Sequence, residues 1–360
     1  MEIAKNLSQL SVLVLSLRVD PKQDLILPRS NMGNTLRGAF GIAFRQLVCV
    51  PQCKETRRCP LNGSCPYKVI FEPSPPIETG RLSKNQDAPR PFIFRPPLSG
   101  RTGISPAPFP HEDFPQTTYR PGKYFEFGLV LLGKAVGYLP YFVLAFRDVA
   151  RQGIGLNRAS CELRDVTAQA CDGKPAHVVY SFTDQLFRSP AVPTLSGWLN
   201  ERRADSLPDL SAETAARVTI RFLTPTHLRF EEQTVLQPDF HPLFKRVRDR
   251  LNALCTFYGP GPIEADFRGL GERAEQIRTI HSNVRWVELE RRSSKTHQRH
   301  ELSGFVGECT YEGDLAEFLP WLAAGQAVHV GRHTAWGNGW YQATAETVVP
   351  RHSANREVTR

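Results

Sequence analysis

Gly304-Phe-Val-Gly-Glu-Cys-Thr-Tyr311 alternates apolar and polar side chains, the period-two pattern of a strand that turns one face to a core. Upstream, Val284-Arg-Trp-Val-Glu-Leu-Glu-Arg291 has the same pattern and reads as its hairpin partner. Downstream, Asp314-Leu-Ala-Glu317 puts a carboxylate at a helix N-cap with Glu at the third helical position. Leu315, Phe318, Leu319 and Leu322 then mark one apolar face up to Gly325. Earlier in the chain, Arg217-Val-Thr-Ile-Arg-Phe-Leu223 is another alternating strand, and Phe240, Leu243, Phe244, Val247, Leu251 and Leu254 share one face of a helix over 240–257. The order is β-α-β-β-α-β, the ferredoxin-like split βαβ unit, in which two helices back an antiparallel sheet.

The first half runs through the same order with a large interruption. Residues 10–19 form a strand, Leu36, Phe40, Phe44 and Leu47 fall on one side of a helix capped by Asn31 or Asn34, and 124–132, 139–149 and 160–167 read as strand, helix and returning strand. The fold class is therefore α+β, two tandem ferredoxin-like (RRM-like) domains with a cysteine-rich insertion in the first. The first domain spans 1–182 with its insertion at about 49–123, 183–214 is a linker, 215–350 the second domain and 351–360 a tail. A short strand at Phe92-Ile-Phe94 interrupts the proline-rich stretch 73–123.

Two local patterns carry chemistry. His329-Val-Gly-Arg-His-Thr-Ala-Trp-Gly-Asn-Gly-Trp-Tyr341 is a glycine loop suited to a phosphate backbone. Gly331, Gly337 and Gly339 let main-chain amides approach an anion, Arg332 offers a bidentate fork, and Trp336 or Trp340 can stack a base. Gly153-Ile-Gly-Leu-Asn-Arg158 holds the equivalent place in the first repeat. The second pattern is Cys49, Cys53, Cys59 and Cys65, spaced C-x3-C-x5-C-x5-C among prolines, which suits a structural zinc clip that leaves no open coordination position for water. An iron-sulfur cluster or unligated thiols are the other readings.

The chain has 45 basic and 36 acidic side chains in 360 residues, a formal charge of +9 that favours a polyanionic partner. The basic residues cluster. Lys245, Arg246, Arg248 and Arg250 lie on the helix at 240–257, and Arg291, Arg292, Lys295 and Arg299 lie in the hairpin turn between two central strands. Each group is a track for RNA phosphates, with a solvated helix face as the other reading of the first. No segment approaches the roughly 18 apolar residues of a membrane span. The N-terminus lacks a secretory pattern and the remaining cysteines are scattered, so a cytoplasmic protein with reduced thiols is expected.

Leu36-Arg-Gly-Ala-Phe-Gly41, Gly153-Ile-Gly-Leu-Asn-Arg158, Phe222-Leu-Thr-Pro-Thr226, Glu290-Arg-Arg-Ser-Ser294, Gly304-Phe-Val-Gly307 and Gly331-Arg-His-Thr-Ala-Trp-Gly-Asn-Gly339 together resemble the CRISPR pre-crRNA processing endoribonucleases of the RAMP superfamily. The resemblance implies metal-independent cleavage of CRISPR repeat RNA. A 2′-hydroxyl attacks its adjacent phosphate and leaves a 2′,3′-cyclic phosphate and a 5′-hydroxyl, with no catalytic metal. Repeat RNA is the implied partner, and other CRISPR effector subunits are compatible with it. The chain departs from the family at two points. The late loop of the family usually starts Gly-x-Gly, whereas His329 stands at the first of these glycines. Many members also place a histidine close to the first helix, whereas the first histidine here is His111. The remaining candidates for catalysis are Arg37 and Arg45 on the first helix, which can stabilise phosphorane charge, and His333, which can exchange a proton near neutral pH. Three function classes stand at this point: a processing endoribonuclease, a cleavage-inactive RNA-binding subunit, and a zinc-stabilised DNA-binding or scaffolding protein.

Overall fold

The computed structural model describes residues 4–30, 32–50, 53, 61, 64–73, 88–98, 116–170, 173–205, 217–292 and 299–346. The N-terminal half runs α1 (Lys5–Ser8), β1 (Val12–Pro21), β2 (Leu25–Pro28), α2 (Met32–Val48), β3 (Phe92–Arg95), β4 (Gln116–Tyr119), β5 (Phe125–Leu132), α3 (Leu139–Gln152), β6 (Cys161–Gln169), β7 (Pro175–Ser181) and α4 (Leu195–Asp205). The C-terminal half follows with β8 (Arg217–Thr226), β9 (Leu228–Phe230), β10 (Gln233–Val235), α5 (Phe240–Tyr258), α6 (Phe267–Ala274), β11 (Arg278–Val287), β12 (Glu290–Arg292), β13 (Arg299–Glu301), β14 (Gly304–Glu312), α7 (Leu319–Val328) and β15 (Tyr341–Glu346).

Both halves have the ferredoxin-like strand order. The C-terminal sheet is β11-β14-β8-β15 and the N-terminal one β3-β5-β1-β6 with β7 added at the edge, every neighbouring pair antiparallel. The α+β tandem expected from the sequence is thus the observed architecture. The strand at 92–95 completes the N-terminal sheet, and β4 pairs with β2, so the excursion over 73–123 is structured at two places.

Burial follows the apolar periodicity. Leu36, Phe40 and Phe44 of α2 are buried, and Phe40 stacks on Phe142 of α3 with centroids 4.6 Å apart, while Leu47 near the helix end is exposed. Phe240, Leu243, Phe244, Val247, Leu251 and Leu254 are all buried against the C-terminal sheet.

The near-continuous apolar runs of β1 and β5 have a separate cause. Leu13, Leu15, Leu129 and Leu131 face α2 and α3, whereas Val12, Val14, Ile93, Val130 and Leu132 face the other way and join the core that contains α5. The N-terminal sheet is therefore covered on both faces, and one apolar layer belongs to both halves of the chain.

The structure departs from the sequence reading in several places. Residues 183–214, read as a linker, contain α4, whose Leu195, Trp198 and Leu199 pack into that shared layer. The helix expected from Leu315 is a 3₁₀ turn at Ala316–Phe318 followed by α7, which continues past Gly325 to Val328. Glu317 makes no capping box, because both its oxygens accept from Arg273 at 2.6 and 2.7 Å. The partner strand of Gly304–Tyr311 begins at Arg278 and is an edge strand, so the 291–300 run lies in a hairpin between an edge and its neighbour rather than between two central strands. The tail at 351–360 lies outside the described residues.

Candidate functional site

Helix α7 ends in the glycine loop through His329, whose backbone has φ 60° and ψ 172°, a conformation that glycine alone adopts freely. The loop then folds back on itself. Val330 N donates to Gly339 O at 2.9 Å, Arg332 N to His227 O at 3.0 Å, Gly339 N to Pro225 O at 3.0 Å, and Gly337 N to Thr334 O at 2.9 Å. Thr224 Oγ1 donates to Gly337 O at 2.8 Å and accepts from Trp340 N at 2.9 Å.

The glycines are required by neighbouring backbone. A Cβ at Gly339 would lie 1.8 Å from Val330 O, and one at Gly337 would lie 2.5 Å from both Phe94 O and Pro96 Cδ of the N-terminal half. A Cβ at Gly331 would lie 2.4 Å from His227 O. The expected phosphate cradle is corrected accordingly. The Gly337 and Gly339 amides already have protein acceptors, and the glycines seat the loop between β8 and β3.

Arg332 and His333 are at the outer edge of the loop, Arg332 exposed and His333 half-buried. The His333 ring lies parallel to the Trp336 indole, 4.6 Å away and 2° from coplanar. Arg37 reaches the same indole from α2, its guanidinium carbon 5.3 Å from the Trp336 centroid and 4.4 Å from that of Phe71. Arg37 and His333, 296 positions apart in sequence, thus both contact one tryptophan at the junction of the halves. This differs from the base-stacking role read for Trp336, whose ring packs against the N-terminal core with His333 on its face. Trp340 is likewise engaged, with His329 stacked on it at 5.6 Å and Arg95 at 4.7 Å.

Arg45 stands apart from this group. It lies beside the thiol of Cys49 and near Tyr67, eight residues or about 12 Å along the helix from Arg37. Burial, then the nearby Cys65 sulfur, raises the Cys49 thiol above its ordinary value, while Arg45 and a hydrogen bond from Cys53 oppose that shift. Three of the four clip cysteines are therefore neighbours, and Cys59 lies outside the described residues. Among the described residues no group of three or more histidines, cysteines and carboxylates is arranged to hold a metal ion.

The basic helix face divides into two. The Lys245 ammonium lies 5.1 Å over Phe230 near the surface. Arg248 is only 7% exposed, donates to Phe267 O at 2.6 Å and to Asp249 at 2.8 Å, and lies over the Phe267 ring, so it is a structural residue and not part of an RNA track. Arg250 also turns inward, donating to Val328 O at 2.7 Å, and burial lowers its pKa to about 10. Arg291 and Arg292 pair through their backbones with His300 and Arg299 in the β12–β13 extension, and Lys295 falls outside the described residues. On the open face of the C-terminal sheet, Arg217 and Arg278 both bind Glu312, at 2.7 Å each, and Arg221 binds Glu308 at 3.5 Å, so charges there are paired internally.

Two residues of the site escaped the sequence reading. His227, just past the end of β8, is 3% exposed, and its Nδ1–H donates to Ser303 O at 3.1 Å. Burial lowers its pKa, helped by the Arg332 and Arg229 charges and opposed by Ser303 and Glu301. Arg95, at the end of the short strand β3, binds the start of the glycine loop. Neither sits in a pattern that marks it.

Residues 10–192, half of the chain, match a family model described as an N-terminal domain, and residues 220–341 match the model described as CRISPR-associated endoribonuclease Cas6. No curated protein sequence matches the chain. Among solved structures, a partial Cas6-RT-Cas1–Cas2 complex is 14% identical with a TM-score of 0.55, the alignment covering 94% of this chain and 47% of that one. A Cas6 (TTHB231) product complex is 16% identical with a TM-score of 0.49, covering 94% and 100%, and Thermus thermophilus Cas6 (TTHB231) gives 16%, 0.48, 94% and 99%. At 14% identity the likeness to the first of these is one of fold. The two family matches follow one another along the two halves described above, and over its C-terminal half this chain matches the family of CRISPR-associated endoribonuclease Cas6.

Proposed function

We propose that this chain cuts CRISPR repeat RNA without a catalytic metal, at the junction where Arg37 and His333 both contact Trp336. A ribose 2′-hydroxyl loses its proton and attacks the adjacent phosphorus. The bond from phosphorus to the 5′-oxygen then breaks, that oxygen takes up a proton, and a 2′,3′-cyclic phosphate remains. Arg37 stabilises the charge that builds on the phosphorane, and His333 exchanges a proton or grips the phosphate. Arg332, Lys245 and the hairpin residues Arg291, Arg292, Lys295 and Arg299 hold the RNA backbone. Arg45, placed beside Cys49, has a smaller claim to the reaction.

The observation that carries this reading is the contact of both Arg37 and His333 with Trp336, one from each half of the fold. End-labelled repeat RNA incubated in EDTA tests it, beside a substrate with a 2′-deoxy scissile nucleotide. Cleavage of the first alone supports the mechanism, and Arg37→Ala should then bind RNA while cutting it at least about 100-fold more slowly. The second reading is a cleavage-inactive RNA-binding subunit, favoured by the lack of any histidine in α2. Tight binding with no product at any enzyme concentration selects it.

Partners, metal and location extend the same proposal. The solved neighbours include a partial Cas6-RT-Cas1–Cas2 complex. For this chain we propose repeat RNA and CRISPR proteins as partners, in the cytoplasm; no helix of the described residues is long and apolar enough to cross a membrane. The spacing of Cys49, Cys53, Cys59 and Cys65 carries the proposal of a structural zinc, which would tie the end of α2 to the turn at Tyr67–Phe71, although the three described thiols do not by themselves form a ligand group. Elemental analysis of purified protein tests this, with about one zinc per chain expected and none in a Cys49→Ser, Cys65→Ser variant.

A further inference from the structure

From Arg95 the N-terminal half reaches into the start of the glycine loop, and this clasp has no counterpart in the motifs. The Arg95 Nε–H donates to His329 Nε2 at 3.1 Å, and its Nη2 donates to Gln326 O at 3.1 Å and Ala327 O at 3.0 Å, two of the last carbonyls of α7. Because a guanidinium only donates, His329 Nε2 must be the bare nitrogen, and its Nδ1–H donates to Asn338 O at 3.1 Å across the loop. His329 is fully buried, flat against Trp340, and Arg95 contacts the same indole. Gly128 on the neighbouring strand makes room for the arginine, since a Cβ there would lie 2.9 Å from Arg95 Cβ.

The clasp sits where the backbone most needs it. His329 has a left-handed φ with an extended ψ, which a side chain makes costly unless its surroundings fix it. All three ring contacts act on the residue that turns α7 into the loop carrying Arg332 and His333.

We infer that Arg95 is a positioning residue: through His329 it holds the glycine loop in a backbone conformation otherwise open only to glycine, and so makes the loop's geometry depend on the N-terminal sheet. The inference rests on the proposed function only in taking this loop as the part that acts on RNA. It makes a specific claim about coupling. A histidine at position 329 needs Arg95, whereas a glycine substituted there does not.

The test is a two-by-two comparison of wild type, Arg95→Gln, His329→Gly and the double variant, read by amide hydrogen exchange over 329–341 and by single-turnover cleavage at saturating repeat RNA. With His329 in place, Arg95→Gln is expected to speed exchange of the loop at least ten-fold and slow cleavage at least ten-fold, with RNA affinity within three-fold of wild type. In the His329→Gly background the same substitution should change exchange and cleavage by less than three-fold. An equal effect of Arg95→Gln in both backgrounds overturns the inference, because Arg95 would then act only through the α7 carbonyls or on folding in general. Should Arg95→Gln fail to fold, Arg95→Lys takes its place, since lysine can still reach the carbonyls but lacks the Nε–H for the ring. Exchange needs no RNA, so a wild type that cuts nothing sinks the proposed function while leaving the clasp to be judged on exchange alone.

Discussion

Gly33 and Gly38 lie on the same helix and give opposite expectations for the same substitution. A Cβ on Gly33 would stand 1.9 Å from the carbonyl oxygen of Trp336, and the carbonyl carbon would be 2.8 Å away. A Cβ on Gly38 meets nothing within 4 Å. By helix propensity alone, either alanine should stabilise α2, by up to about 1 kcal/mol in the helix interior and less in the first turn, where Gly33 lies. At Gly33 the loop must retreat by about 1.5 Å to restore ordinary contact, against backbone already bound at Gly337 and Gly339, and overpacking of this kind costs about 1–3 kcal/mol. Gly38→Ala should therefore raise the thermal midpoint and Gly33→Ala lower it, by roughly 1–3 °C per kcal/mol for a chain this long. Differential scanning calorimetry of both variants decides the sign, and because the displaced carbonyl belongs to Trp336, Gly33→Ala should also slow RNA cleavage. A Gly33→Ala protein as stable as Gly38→Ala would refute the docking of the loop on α2, and with it the contact of Arg37 with Trp336.

Other expectations follow from the same structure. Arg332→Ala should weaken RNA binding and reduce the slope of log affinity against log salt by about 1, as for the loss of one phosphate contact. Arg248→Ala should leave that slope unchanged but lower the urea midpoint, because it removes a buried cation from Phe267 O and Asp249; a reduced slope would put Arg248 back on the RNA path. Burial depresses the pKa of both His329 and His227 below the ordinary 6.5. Above that value the folded and unfolded states are both neutral, while below it only the unfolded state takes up the protons. Stability should thus fall as pH drops from 6.5 towards 5, by at most about 1.4 kcal/mol per pH unit for each histidine. Urea titrations at pH 7, 6 and 5 check this, and a flat or rising midpoint contradicts the burial of the two rings.

Much of the architecture was legible because amphipathic patterns follow directly from one-sided burial. Gly304–Tyr311 and the face from Phe240 to Leu254 are examples. Strand β11 starts six residues before its alternation shows for the same reason: Arg278 to Asn283 lie exposed on an edge, so no burial imposes alternation there. Glu317 looked like a cap because its true partner, Arg273, is distant in sequence, and Gly325 looked like a helix end although it lies inside α7, where a Cβ would strike Tyr341 Oη at 2.1 Å.

The glycine loop marks the limit of reading chemistry from sequence. Gly331, Gly337 and Gly339 do announce close approach, but sequence cannot say whether a ligand or the protein's own backbone does the approaching. The burial of Arg248 is legible in the sequence, since it lies between Phe244 and Leu251 on the buried side of α5. Arg95 offered no such signal. Its importance arises from a strand end meeting a helix end 231 residues later in the chain.

The apolar layer formed jointly by Val12, Val14, Ile93, Val130, Leu132 and α5 bears on how such a molecule can change over time. If the tandem arose by doubling, the copies have since grown mutually dependent: either one made alone would present a greasy flank to water and clump instead of folding. Exchange of one copy for that of a distant cousin would fail for the same reason, unless the facing residues came with it. Inheritance can therefore retouch the loops and hairpins freely, but it has lost the option of going back to a single module.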